Sequence, residues 1–101
     1  MARRPIDLVK AVEHEIAQEK AFSLGRTGAR LDELLRELRA LGDAAARAAS
    51  PEARAAAVAG FNEVRERALD AYYALTVQRE AMGVKRHDLL AEMYPIPPKL
   101  K

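Results

Sequence analysis

The sequence predicts an all-α fold: an antiparallel helical hairpin extended to a three-helix bundle, with a short C-terminal helix. Three observations lead there. Leu and Ala recur at alternating steps of three and four through Leu31, Leu34, Leu38, Leu41, Ala45 and Ala48. A second stripe repeats the pattern through Ala57, Phe61, Val64, Ala68, Ala71, Leu75, Gln78 and Met82. Such steps average about 3.5 residues and hold each stripe on one face of a helix, as in a coiled coil. Between the stripes stands Ser50-Pro51-Glu52, the signature of a helix restarting: a hydroxyl at the N-cap, a proline whose missing N–H costs nothing, an acid in the first turn. A tight corner between two such helices folds them back antiparallel.

The elements follow in order. Pro5 suits a first helical turn and Asp7 the positive end of the helix dipole. Leu8, Val9, Val12 and Ile16 then form an apolar stripe, giving a first helix over about 5–23. Phe22 and Leu24 leave its phase, and Gly25 and Gly28 follow closely. Two readings compete there: glycines that end one helix while Thr27 caps the next, or a single helix in which they allow a neighbour to approach closely. Each glycine costs about 1 kcal/mol inside a helix, so the break is the reading adopted. The second helix is expected over about 28–49 and the third, longest one over 51–82, with Gly83 as its C′ residue. The Ala-rich tip, 44–59, lets the arms approach closely, and the larger side chains of the open end are where the first helix should pack. Asp88-Leu89-Leu90-Ala91-Glu92-Met93-Tyr94 makes a short amphipathic helix, about 87–94. Pro95-Ile96-Pro97-Pro98 ends it in an extended tail. Leu89, Leu90, Met93, Tyr94 and Ile96 mark this region as a segment docked on its own bundle.

At 101 residues the chain has room for a single domain, 1–101. Half the residues are hydrophobic but only 5% are aromatic, and Ala supplies much of the rest, so the core is thin and a partner chain would add to it. The 17 basic and 15 acidic residues leave a net charge of +2. Residues 1–30 and 83–101 are each +2 and the hairpin, 31–82, is −2, unlike the one-sided footprint of a dedicated nucleic-acid binder. Without cysteine, disulfides, thiolate chemistry and Cys-ligated zinc are excluded. Asp7, Lys10, Glu13 and Glu15 interrupt the place of a signal-peptide core, and no stretch approaches the roughly 20 apolar residues of a membrane span. A cytoplasmic protein with no membrane partner is the expectation.

Several blocks together resemble a known family. Glu13-His14-Glu15-Ile16-Ala17-Gln18-Glu19-Lys20-Ala21 and Leu24-Gly25-Arg26-Thr27-Gly28 look like the N-terminal signature of a small bacterial helical family, a domain of unknown function about as long as this chain. Val77-Gln78-Arg79-Glu80-Ala81-Met82-Gly83 and Tyr94-Pro95-Ile96-Pro97 resemble its C-terminal blocks. Tyr72-Tyr73 departs from the bulkier aromatics expected of the family. The resemblance implies a bacterial source and an all-helical fold, and it carries over no catalytic residues.

No arrangement of residues points to catalysis. A bundle that binds two metals through carboxylates needs Glu-x-x-His pairs, but Ala11 and Val84 stand three residues before His14 and His87. Ser50 and Thr27 are taken up by capping, and no Ser or Thr neighbours a His. Gly25-Arg26-Thr27-Gly28 lacks the preceding strand and the closing Gly-Lys-Ser/Thr of a phosphate loop. No catalytic residue, cofactor or metal is therefore assigned.

Gln78 falls on an apolar stripe, where an unpaired amide costs on the order of 1–3 kcal/mol. It is expected either to meet Glu15 or Glu19 from the first helix, with Arg79 bridging to the same acids, or to face a wet interface; the group then serves as a polar layer fixing register or as part of a recognition surface. That surface would comprise Glu15, Glu19, Arg26, Gln78 and Arg79, joined by Tyr73 as an exposed amphipathic contact. Leu35, Val58, Leu69 and Val77 lie off the seam, where the first helix, the tail or a second subunit would cover them.

These readings converge on a non-enzymatic protein–protein interaction or oligomerisation module whose partner is another copy or another protein. The alternative is a nucleic-acid-associated accessory protein. It requires Arg3, Arg4, Lys85, Arg86, Lys99 and Lys101 to gather where both chain ends meet at the open end of the bundle.

Overall fold

A computed structural model describes residues 5–101. Helix α1 runs Pro5–Arg47, α2 Pro51–Ala81 and α3 Asp88–Met93, and an extended segment, 94–101, follows. No strand occurs among the described residues.

The corner between α1 and α2 forms as its residues dictate. Ser50 is extended (φ −143°, ψ 157°), and its hydroxyl accepts a 3.0 Å hydrogen bond from the Ala53 amide, with Pro51 in the first turn behind it. The amide of Arg54 then donates to the Ser50 carbonyl at 3.0 Å, the first rung of α2.

Past the corner the two stripes meet. Leu31, Leu34, Leu38 and Ala45 of α1 are buried, as are Phe61, Val64, Ala68 and Leu75 of α2. Each buried Leu, Val or Phe contributes about 1.5–3 kcal/mol, and this seam holds the hairpin together. Near the tip the arms come close: a Cβ on Gly42 would lie 3.6 Å from the Phe61 ring, and one on Gly60 3.4 Å from Leu41.

The expected break at Gly25–Gly28 does not occur, and the separate helices over 5–23 and 28–49 are one helix, α1, of 43 residues. Neither glycine takes the left-handed conformation that a helix-ending glycine adopts; among the described residues Gly83 alone has positive φ. Thr27 caps nothing. Its hydroxyl donates to the Ser23 carbonyl one turn back, at 3.1 Å, inside the continuous helix. Gly28 is buried beneath Tyr94, whose hydroxyl would stand 3.0 Å from a Cβ there. The close approach is thus made by a tyrosine from the C-terminal segment, and a packing requirement explains the glycine better than a helix end.

Continuity changes the architecture. The first helix does not fold back to pack on the open end, so among the described residues there is a hairpin and no third long helix. Lys20 and Ala81 line the same hollow, which sets the end of α2 level with Lys20. Residues 5–15 of α1 therefore extend past α2 for about 16 Å at 1.5 Å per residue, with Glu13 and Ile16 bordering the hollow that Ala81 and Met82 close. The molecule is a rod of 74 × 26 × 15 Å.

At its other end α2 closes with Gly83 in the left-handed region (φ 86°). The Gly83 amide donates to the Glu80 carbonyl (2.9 Å) and the Val84 amide to the Arg79 carbonyl (3.0 Å), the paired bonds of a Schellman stop. The chain then turns back along the hairpin. Leu90 of α3 is buried, and Tyr94, Ile96 and Leu100 pack against the core. Leu89 and Met93, expected to dock as well, are exposed.

Three side chains of α2 hold this segment by its backbone. The Asn62 amide donates to the Leu100 carbonyl (3.1 Å) and its carbonyl oxygen accepts from the Leu100 amide (3.0 Å). Arg65 Nε donates to the Pro97 carbonyl (2.8 Å) and Arg54 to the Lys101 backbone oxygen (2.9 Å). Leu35, off the seam, is buried on the side where Pro95, Pro97 and Leu100 run. No helix among the described residues is long and apolar enough to cross a membrane.

Candidate interaction surface

The run of α1 beyond α2 is built like the part that is covered. Ile16 precedes Leu34 by 18 residues and Val9 precedes Ala45 by 36, whole numbers of turns at 3.6 residues per turn. The side of α1 that α2 covers around Leu34 and Ala45 therefore continues outward through Ile16 and Val9. Leu8, Val9, Val12 and Ile16 are between 46% and 55% exposed, whereas Leu34 and Ala45 are buried. Isolated large apolar side chains are common at protein surfaces; these four share one helical face. Asp7, Lys10, Glu13 and Glu15 accompany it.

The projection's own charges act in both directions: Lys10 stands three residues from Asp7 and from Glu13, a favourable spacing. Glu15 and Glu19 are like charges one turn apart, an unfavourable spacing. Isolated helices of about 12–15 residues are marginal in water, so this stretch depends on its continuity with the hairpin.

The six residues expected to form a recognition surface do not gather. Glu15 and Glu19 are exposed on α1, and among the described residues neither pairs with Gln78 or Arg79. The register explains this: with Lys20 level with Ala81, Gln78 sits level with Ser23, and Glu15 lies two turns farther out. Gln78 Oε1 is instead buried without a partner. Arg79 reaches forward to the Arg86 carbonyl (3.3 Å) and leaves its buried Nε unpaired. His87 Nε2 lies 3.1 Å from Glu80 Oε1. Arg26 stacks over the Phe22 ring, 5.1 Å from its centroid, a cation–π contact in a hollow that Glu19 also lines. Arg79 borders a different groove, with Leu24, Leu75 and Leu90. Tyr73 is exposed and lines neither hollow, while Tyr72 packs toward the core.

The basic chain ends do not meet at the open end either. Lys101 is held by Arg54 near the hairpin tip, while Lys85 and Arg86 follow the far end of α2. From Arg54 to Arg79 is about 37 Å of helix. Arg3 and Arg4 lie outside the described residues. No cluster of three or more His, Asp or Glu side chains suited to a metal ion forms among the described residues.

The sequence pattern places Leu8, Val9, Val12 and Ile16 inside a bundle, whereas the structure leaves them half-exposed on the projection. The available signal was length. Once α1 passes unbroken through Gly25 and Gly28 it exceeds α2 by a dozen residues, and its outer turns have no helix to lie against. No family model, curated protein or solved structure matches the chain.

Proposed function

We propose that this protein is a non-enzymatic interaction module that binds another protein chain, a second copy included, through the projecting end of α1. The observation that carries this reading is the half-exposed apolar face of Leu8, Val9, Val12 and Ile16, which continues the hairpin's buried seam past the end of α2. A helical partner laid there would bury these side chains at about 25 cal/mol per Å² of apolar surface. It would complete, between chains, the bundle that the sequence suggests within one. The remainder of the molecule acts as a stiff handle: a capped, Leu-zipped hairpin strapped by its own C-terminal segment.

A photo-crosslinking residue placed at Val12 in the producing cell tests this, with the same residue at Asp43, exposed near the hairpin tip, as control. Discrete adducts at Val12 and none at Asp43 are expected. A Val12 probe that yields no adduct contradicts the reading.

A further inference from the structure

We infer that the occupant of the projecting face is a second copy of the same chain, with the two α1 ends packed antiparallel about a two-fold axis near Val12. The inference rests on the module reading above and goes beyond it by naming the partner.

Geometry comes first. The exposed face starts where α2 stops, so its missing neighbour is a helix running antiparallel to α1 and beginning beyond Ala81. The projecting end of a second α1 meets both conditions. Slid in antiparallel about Val12, it lies along the first copy's projection, and its Pro5 comes level with Glu19, beside the end of the first copy's α2. Each projection is at once the gap and the piece that fills it. Such an isologous contact closes on itself and leaves no unsatisfied copy of the surface.

The side chains match this placement. Leu8, Val12 and Ile16 are spaced evenly by four residues. An axis at Val12 sets Leu8 of one copy against Ile16 of the other and brings the two Val12 side chains together. The segment each projection would approach on the second copy exposes Val84 and Met82 as apolar neighbours.

Three measurements on the purified full chain decide the matter. Sedimentation should give twice the 11.2 kDa chain mass. Because the chain has no cysteine, Val12→Cys offers one thiol per copy, and a short bis-maleimide should join two chains through it but not through Asp43→Cys. Val12→Lys should weaken self-association at least tenfold while circular dichroism stays helical, since it buries a charge at the axis.

A chain that remains monomeric at its highest attainable concentration overturns the inference. So does a Val12→Cys that fails to link, or a dimer that Val12→Lys leaves intact. The cellular Val12 adduct separates the two levels of claim. A monomer in solution with a cellular adduct of any mass other than two chains removes the second copy and leaves the module. No adduct of any kind removes both.

Discussion

Gly28 and Tyr94 show how one residue decides a helix's fate. In the sequence, Gly25 and Gly28 look alike, two weak points a turn apart, and the local rule favours a break. In the fold they differ. A Cβ at Gly25 meets nothing within 4 Å, while one at Gly28 presses on the Tyr94 hydroxyl at 3.0 Å. Gly25→Ala should therefore stabilise the protein by up to about 1 kcal/mol, the ordinary helix-propensity gain. Gly28→Ala should gain less or lose, because the rigid ring must give way. Thermal unfolding of both variants, alone and with Tyr94→Phe, checks this: the gap between the two alanines should narrow once the hydroxyl is gone. Equal gains at both glycines in the native background would contradict the packing account. The partner that makes Gly28 necessary lies 66 residues away, so no local pattern around Gly25-Arg26-Thr27-Gly28 reveals it. Gln78 and Arg79 follow the same logic. The place of Gln78 on an apolar stripe and of Arg79 at its edge is visible in the sequence, but their company depends on whether α1 turns back.

Where an element's cause lies within a few residues, it was legible in the sequence. The Leu31–Ala45 and Phe61–Leu75 seams, the Ser50-Pro51 corner and the Gly83 stop all rest on spacing or capping chemistry carried by the residues themselves. The C-terminal segment was legible only in outline. Its prolines and apolar residues foretell an extended, docked segment, but nothing in its composition says that Asn62 grips Leu100 by both backbone atoms. That grip gives a prediction at this scale. Asn62→Ala removes two hydrogen bonds, each worth about 1 kcal/mol net, and should lower stability by about 1–2 kcal/mol. It should also speed hydrogen exchange of the Leu100 amide, whose acceptor is the Asn62 side chain. Exchange at Leu100 unchanged in Asn62→Ala would show that the strap is held mainly by Leu90, Tyr94 and Ile96.

For the molecule as a whole, one structural fact carries the proposed function: α1 is unbroken and overruns α2. From it follow the rod shape, the open apolar face, the separation of Glu15 and Glu19 from Gln78, and the room for a second chain. Lys10 stands on the projection and Asp43 near the hairpin tip, thirty-three residues apart on the same helix. Spin labels at Lys10→Cys and Asp43→Cys, diluted with unlabelled chain so that only distances within one molecule are read, measure the claim directly by pulsed dipolar spectroscopy. A continuous α1 predicts a separation of about 50 Å. A first helix folded back at Gly25–Gly28 would bring Lys10 alongside the tip, and a distance below about 20 Å, roughly two helix diameters, would contradict the account.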